Sequence, residues 1–300
     1  MTTQSRKPNP LFIDADINVF EGQDASQRLL QKNDLRFFAA NSGVVQVDSG
    51  RWQEAQRYER KTWMRRARFA VDDRNLLHKR RFNGYQAIRN MSFDRGIELG
   101  CGPFTNMRYV LESCRVGEIH LLDPLIKDYL RLPSCRYRNG RLGGISLRPS
   151  LSGLLAWRHP FQQIQHVRNA FRIGAKGRAV IIHDDPIEGF RPQDNFDLVV
   201  LINVIEHCRD VEIVFDKVSS MLSPGGVLIF HDKFLEASLL KDIVSSLYDA
   251  GHPLRIDMRI AERYLSKFDV LSRAEFHRYA DFAGSKIAET ALYFVGKKPR

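Results

Sequence analysis

The 300-residue sequence contains no long hydrophobic run, and stretches such as LVVLI at 198–202 are far too short to span a bilayer. The opening residues, MTTQSRKPNP, lack the apolar core of a secretory signal. The four cysteines, Cys101, Cys114, Cys135 and Cys208, form no CxxC pair and no metal-ligand spacing. We therefore expect reduced thiols, no metal site and a cytoplasmic protein.

Acidic residues are nearly absent between positions 124 and 176, where ten lysines and arginines accompany the single acid Asp128. Part of this segment, 139–153, is rich in glycine, serine and leucine, which predicts a loop. Two interpretations stay open with equal weight. The segment is either a solvated basic face or an element that binds phosphate or carboxylate groups of a substrate through arginine.

The most informative motif in the sequence is GIELGCGPF at 96–104, in which a glycine turn follows a short apolar strand. Gly100 and Gly102 allow a tight turn without a Cβ between the backbone and a ligand. A helix is expected over 103–114, with proline at a first position where its missing N–H costs nothing. Such strand–turn–helix units present backbone N–H groups to nucleotide-like ligands.

An acidic residue follows the next predicted strand, 118–122, at Asp123, where a carboxylate can accept hydrogen bonds from both hydroxyls of a ribose. The dinucleotide fingerprint also requires a third glycine, and this chain has Thr105 there. A nicotinamide-dependent dehydrogenase is therefore the weaker alternative.

Further strands and one helix are predicted downstream, at 176–183, 195–203, 211–222 (the helix), 227–231, 268–276 and 290–295. With them come the motifs ELGCG at 98–102, Asp123, the acidic pair Asp184–Asp185, FDLVVLINVIEH at 196–207 and LSPGGVLIF at 222–230. In this order and spacing the chain resembles the class I S-adenosylmethionine-dependent methyltransferases. The resemblance spans roughly residue 94 to the C-terminus.

The resemblance implies an α/β fold with a doubly wound, mostly parallel seven-stranded sheet of Rossmann-like type and a helical N-terminal extension. It implies two parts. Residues 1–92 form the extension with a basic aromatic helix, and residues 93–300 form the S-adenosylmethionine-binding core with the basic insertion 124–176.

The resemblance also implies the residues that bind S-adenosylmethionine: Glu98, Gly100, Cys101, Gly102, Asp123, Asp184, Asp185 and Asn203. Asp123 is expected at the ribose, Asp184 or Asp185 at the adenine amino group, and Glu98 and Asn203 at the methionine end. Phe104 replaces a glycine that is frequent in the family pattern.

Histidines lie at the ends of three predicted strands or just past them, at the sheet edge where acceptors approach in this fold. His207 is our candidate for the catalytic base, which is needed if the acceptor keeps its proton at neutral pH. His231 could face the same cleft, and His183 is expected on the adenine side. Each of them could instead be a hydrogen-bonded structural residue.

The first ninety residues contain two predicted elements. Residues 35–47 are expected to form a hairpin, and 52–90 are expected to be helical, with Trp52, Tyr58 and Trp63 among many arginines. Trp52, Gln56, Tyr58, Glu59 and Trp63 resemble the helix that precedes the core in methyltransferases associated with glycan synthesis. The helix either packs its aromatic side chains on the core or forms a lid over the cofactor.

The sequence thus predicts methyl transfer to a small-molecule or glycan-linked, anionic acceptor, with O-methylation favoured. Asn-Pro-Pro-Tyr and Asp-Pro-Pro-Tyr tetrapeptides, typical of amino-methylating nucleic-acid enzymes, are absent. The net charge of +11 nevertheless keeps an RNA methyltransferase as an alternative. A methyltransferase fold that binds without catalysis is the other.

Overall fold

The computed structural model describes residues 43–69, 74–142, 177–235, 250–282 and 285–300. The strands within these ranges are β1 (Gly43–Val44), β2 (Ser92–Leu99), β3 (Arg115–Leu122), β4 (Arg141–Leu142), β5 (Arg178–Ala179), β6 (Ile181–His183), β7 (Phe196–Ile202), β8 (Leu222–Leu235), β9 (Arg255–Ile256), β10 (Asp269–Phe282) and β11 (Ser285–Lys297). The α-helices are α1 (Ser49–Phe69), α2 (Arg74–Arg81), α3 (Met107–Val110), α4 (Ile126–Tyr129), α5 (Val211–Met221) and α6 (Met258–Leu265), and short 3₁₀ helices cover Asn83–Ile88 and Ile205–His207.

The main sheet has seven strands in the order β10-β11-β8-β7-β2-β3-β6. The five strands from β8 to β6 are parallel, whereas β11 and β10 run antiparallel to their neighbours. The order reverses beside β2, so the loops after β2 and β7 diverge and leave a crevice at the carboxyl ends of the strands. The predicted α/β class and the mostly parallel seven-stranded sheet are confirmed.

Apolar side chains on both faces of the central strands account for this layered arrangement. In β7, Leu198 and Val200 point to one core, and Val199 and Leu201 to the other. A strand that is buried on both faces reads as a continuous apolar run, which is typical of parallel sheets. The two cores lie between the sheet and the helices on either side, and they fix the strand ends that form the site.

The helix predicted at 211–222 and the closing hairpin are present. Helix α5 begins after Asp210, whose carboxylate accepts hydrogen bonds from the backbone N–H groups of Glu212 and Ile213. The predicted strands at 268–276 and 290–295 are the longer β10 and β11, and 227–231 lies within β8.

Two predicted elements differ in the structure. The helix expected over 103–114 contains only the single turn α3, because residues 101–106 form turns and Thr105 adopts a φ of +41°. The strand expected over 176–183 is divided, since β5 pairs with β4 while β6 pairs with β3. The two pieces meet at Val180, whose N–H donates to the carbonyl of Gly140.

The described N-terminal region is helical over Ser49–Phe69 and Arg74–Arg81, as predicted, and a 3₁₀ segment follows at Asn83–Ile88. Of the hairpin predicted at 35–47, only 43–47 lie within the described residues, and there β1 pairs with the distant β9. Most of the basic insertion, 143–176, also lies outside the described residues. No helix in the described part of the chain is long and apolar enough to cross a membrane.

Candidate active site

A cavity lies at the carboxyl ends of β2, β3 and β7, beneath one face of helix α1. Its floor is formed by the residues that follow these three strands, and one wall is formed by Pro186, Ile187 and Glu188. The remaining lining comes from α1, from Leu125 and Tyr129, and from His252. The cavity therefore stands where the topology predicts a ligand site.

The glycine turn after β2 borders this cavity at Gly100 and Gly102. Both adopt positive φ angles, +65° and +52°. A Cβ on Gly100 would lie 2.6 Å from Cγ2 of Val204, whereas a Cβ on Gly102 would meet no atom within 4 Å. The open space above Gly102 lets a ligand approach the backbone closely, as the glycine pattern predicts.

Asp123, directly after β3, lies against this turn. Its carboxylate accepts hydrogen bonds from the N–H of Gly102 (3.1 Å) and of Leu125 (2.9 Å), one on each oxygen. A carboxylate has about four acceptor positions, so each oxygen keeps one for a ligand hydroxyl. Burial raises the pKa of Asp123 to about 6, although the two N–H donors oppose the shift.

Glu98 and Cys101, two of the predicted binding residues, do not line the cavity. Glu98 is buried and accepts hydrogen bonds from the Thr105 hydroxyl and from the N–H groups of Asn106 and Met107. Burial raises its pKa, against the effect of these donors. Glu98 therefore stabilises the turn that carries Thr105 in its left-handed conformation, from beneath the site.

Tyr137 completes this support, and sequence reasoning gave it no role. Its hydroxyl donates to the carbonyl of Gly102 at 2.7 Å and lies 3.4 Å from the sulfur of Cys101. Because Tyr137 lies beyond α4 and shares no local motif with the turn, the sequence carries no signal for this contact.

The acidic pair after β6 lies outside the cavity. Asp184 and Asp185 are exposed, and Asp184 forms an ion pair with Lys127 that lowers its pKa. The side chains that line the cavity here are Pro186, Ile187 and Glu188, directly after the predicted pair. The structure thus brings Gly100, Gly102, Asp123, Asn203 and His207 together, but not Asp184 or Asp185.

The loop after β7 carries Asn203 and His207 to the cavity. Asn203 adopts a φ of +58°, a conformation that asparagine tolerates better than most residues, and its N–H donates to the carbonyl of His231. Asp232 fixes the next turn by accepting from the N–H of Ile205 at 2.8 Å. Burial and the nearby Glu206 raise the pKa of Asp232.

His207 is half-buried at the cavity wall. Its Nδ1 lies 3.1 Å from the carbonyl oxygen of Gly251, an acceptor only, so Nδ1 carries the proton and Nε2 has the lone pair. Burial lowers the pKa of His207, with a further contribution from His252, while Glu59 and Glu206 oppose the shift. The imidazole is thus held in one tautomer.

Two further groups lie beside His207, and sequence reasoning gave neither a role. Glu59 from α1 and His252 each have a ligand-type atom within 4.8 Å of one on His207. Glu206 lies behind them, with Oε1 3.5 Å from Nε2 of His252 and Oε2 2.8 Å from Nη1 of Arg255. Burial alone would raise the pKa of Glu206, but His252, Lys233, Arg255 and His207 hold it well below its usual range.

Helix α1 forms the roof. The indole N–H of Trp52 and the amide of Gln56 both donate to the carbonyl of His207, each at 3.2 Å. Farther along, Trp63 packs edge-on against Phe104 and Tyr129, with centroids 6.0 and 6.4 Å away. The helix therefore packs its aromatic side chains on the core and covers the cavity with the same face.

The other two candidate histidines lie elsewhere. His231 is buried, with Nδ1 2.8 Å from the carbonyl of Leu292 and its ring stacked on Tyr293. His183 stacks on His120, with Nε2 2.8 Å from Nδ1 of His120. Neither lines the cavity, so His231 within β8 and His183 at the end of β6 serve packing.

A doubly wound sheet with a glycine turn, a neighbouring acidic residue and a roofed cavity defines an enzyme that binds a nucleotide-like cofactor. The profile of the methyltransferase domain family matches residues 55–284, and the chain belongs to this family. It is a class I methyltransferase that depends on S-adenosylmethionine. The nicotinamide alternative and the alternative of a non-catalytic module are therefore set aside.

Solved structures that are similar to this chain include N-methyltransferase NodS from Bradyrhizobium japonicum WM9, in complex with S-adenosyl-L-homocysteine. It is 15% identical, with a TM-score of 0.45 over 83% of this chain and 99% of that chain. Another is a putative methyltransferase from Bacillus halodurans, 11% identical, with a TM-score of 0.49 over 73% of this chain and 98% of that one. A search of curated protein sequences finds no match.

The residues present suit S-adenosylmethionine. Gly102 leaves room beside the backbone, and Asp123 keeps one acceptor position on each oxygen for ribose hydroxyls. The family match begins inside α1, upstream of the boundary predicted at residue 93, and that boundary stays a prediction.

Proposed function

We propose that this methyltransferase acts on a hydroxyl group of a small-molecule or glycan-linked acceptor, with His207 as the catalytic residue. The observation that carries this proposal is the placement of His207 at the cavity wall, with Nδ1 held by the carbonyl of Gly251. The same geometry directs the lone pair to Nε2, the nitrogen that can take a proton from an acceptor hydroxyl.

S-adenosylmethionine, when bound, supplies a methyl group on a positively charged sulfur. We assign Asp123 to the ribose of this cofactor. We assign Gly100 and Gly102 to the turn whose backbone the cofactor approaches closely. Asn203 is assigned to the methionine end, beside the loop that carries His207. Helix α1 excludes water above these residues, and the rigid loop holds acceptor and cofactor in one orientation.

The anionic character of the acceptor depends on the basic insertion. The described lining of the cavity contains four acidic residues and neither lysine nor arginine: Glu59, Asp123, Glu188 and Glu206. A phosphate or carboxylate of the acceptor would therefore be bound by arginines of 124–176, half of which lie outside the described residues. Binding of short RNAs and of sugar nucleotides across a salt series tests this idea. Steep salt dependence with RNA alone would favour an RNA methyltransferase instead.

A methylation assay with labelled S-adenosylmethionine tests the proposed reaction on a panel of sugars, sugar nucleotides, phenols and short RNAs. The variant His207→Gln should lose about 10²–10⁴-fold in kcat and keep its affinity for S-adenosylhomocysteine. His277→Gln, which changes an exposed histidine on β10, is the matched control and should behave as wild type. Full turnover by His207→Gln, or methylation of amines only, would contradict the proposal.

A further inference from the structure

Glu59, His207 and His252 come together from three distant parts of the chain. Each offers one ligand-type atom, and these atoms all lie within 4.8 Å of one another. Three ligands of one tetrahedral ion, at bond lengths of about 2.0–2.2 Å, lie about 3.3–3.6 Å apart. Side-chain rotations that bring the three atoms closer by about 1 Å would therefore bring all three into coordination, without any change in the fold.

The backbone of Gly251 holds this cluster together. Its carbonyl contacts Nδ1 of His207, and a Cβ at this position would lie 2.6 Å from Oε1 of Glu59. Histidines that bind metals commonly give their other ring N–H to a carbonyl or carboxylate, which fixes the ring and its tautomer. His207 already has such a partner, and the carboxylate of Glu206 lies beside the ring of His252.

The charges around the cluster also suit a cation. Arg255 pairs with Glu206 at 2.8 Å, whereas no described lysine or arginine forms an ion pair with Glu59. Both Glu59 and His207 line the cavity, so a ligand held between them would face the acceptor.

We propose that Glu59, His207 and His252 form a binding site for a divalent transition-metal ion, with an open coordination position toward the acceptor. Two imidazoles and one carboxylate favour Zn²⁺, and after it Mn²⁺, over Mg²⁺, which prefers oxygen ligands. The inference rests on the proposed function, because it gives the ion the acceptor hydroxyl as its further ligand. In the metal-free protein Nε2 of His207 takes the proton of the acceptor hydroxyl. With the ion bound, His207 would be a ligand, and the ion would lower the pKa of the acceptor hydroxyl so that its proton passes to solvent. The acceptor oxygen would then take the methyl group as the bond from that group to the sulfur breaks and S-adenosylhomocysteine leaves.

Titration of the EDTA-treated full-length protein with ZnCl₂, MnCl₂ and MgCl₂ in a calorimeter tests the site. We expect one Zn²⁺ per chain, weaker Mn²⁺ binding and the weakest binding for Mg²⁺. Glu59→Gln and His252→Gln should each weaken Zn²⁺ binding by at least about tenfold. Glu54→Gln on the same helix and His277→Gln are matched controls and should bind as wild type.

The metal site would be overturned if wild type shows no saturable Zn²⁺ binding. It would also be overturned if Glu59→Gln and His252→Gln bind Zn²⁺ as tightly as wild type does. If these variants do not fold, the visible spectrum of Co²⁺ added to wild type decides, because imidazole ligands change it from that of the aqua ion. Methyl transfer that is lost in His207→Gln but unaffected by EDTA or Zn²⁺ would support the proposed function. The same result would contradict a role of the ion in the reaction. Zn²⁺ binding without methylation of any hydroxyl would support the metal site and contradict the proposed function.

Discussion

The two halves of the cavity are built in different ways. The half assigned to the cofactor consists of residues that directly follow adjacent parallel strands, and their positions are fixed by the backbone. Gly100 and Gly102 need their positive φ angles, and the carboxylate of Asp123 is held by two N–H groups. This half is rigid because the sheet itself determines it.

The half assigned to the acceptor is assembled by side chains from separate elements. Glu59 comes from α1, His207 from the loop after β7, and His252 from the segment before β9. Their contacts are side chain to side chain or side chain to a single carbonyl. Substitutions in this half can therefore change the acceptor that is bound without disturbing the sheet. Cofactor binding and acceptor choice thus depend on different residues.

Alanine substitutions at two glycines should show this difference most strongly. Gly100→Ala places a Cβ 2.6 Å from Val204 at a positive φ, and we expect it to cost about 2–5 kcal/mol in the free energy of unfolding. Gly251 has no positive φ, and Gly251→Ala meets the flexible end of Glu59 at 2.6 Å and the ring of Tyr58 at 3.0 Å, so the cost should be smaller, about 1 kcal/mol. Urea denaturation measures both.

The variant Gly102→Ala measures the cost of a positive φ alone, without a steric clash. Gly102 has a positive φ but open space above it, so its replacement should cost about 1–2 kcal/mol. Equal losses for Gly100→Ala and Gly251→Ala would show that the two halves do not differ in rigidity.

Asp123 should make the stability of the ligand-free protein depend on pH. Its carboxyl has a pKa of about 6 in the folded state, against 3.8 ordinarily. The protonated form is therefore favoured by folding, and this stability is lost as the pH rises from about 4 to above 6, by at most about 3 kcal/mol. Asp123→Asn lacks this titration. The free energy of unfolding of wild type should therefore fall relative to that of the variant as the pH rises over this range. A constant or rising difference in melting temperature would contradict the assignment.

The same substitution should weaken cofactor binding. An asparagine presents one oxygen instead of two, so at least one ribose hydrogen bond is lost. We expect S-adenosylhomocysteine to bind more weakly by about 1–3 kcal/mol, measured by calorimetry at pH 7.5. Asp128→Asn, which changes an acid outside the cavity lining, is the control. Unchanged affinity in a folded Asp123→Asn variant would remove Asp123 from the site.

The sequence predicted that Gly100, Gly102 and Asp123 lie at the edge of the sheet where the cavity is found, for a physical reason, while their role in binding the cofactor stays a prediction. Turn conformations require particular residues locally, so Gly100, Gly102 and Asp123 could be recognised from their spacing after strands. Thr105 illustrates the limit. The position where the dinucleotide pattern has glycine does adopt a positive φ, +41°, but here Glu98 accepts from the threonine hydroxyl and supports it.

In the other half only the position of His207, after β7, could be predicted, because Glu59 and His252 are far from it in the chain and no local pattern relates the three. In the sequence Glu59 stands out only as part of an aromatic helix, and no local motif marks His252. Asp184 and Asp185 were expected at the cavity from their place after a strand. That strand is interrupted at Val180, and its short second piece ends with the pair exposed and Ile187 facing the cavity.

The smallest expected effect tests whether α1 belongs functionally to the acceptor half. Gln56 and Trp52 both donate to the carbonyl of His207, so Gln56→Leu leaves that carbonyl with one donor. The loss should be about 0.5–1.5 kcal/mol in stability. Because Gln56 hydrogen-bonds the loop that carries His207, turnover should fall a few-fold while affinity for S-adenosylhomocysteine stays constant. Gln53→Leu, an exposed neighbour on the same helix, should change neither quantity. A larger loss of cofactor affinity than of turnover would place α1 with the cofactor half instead.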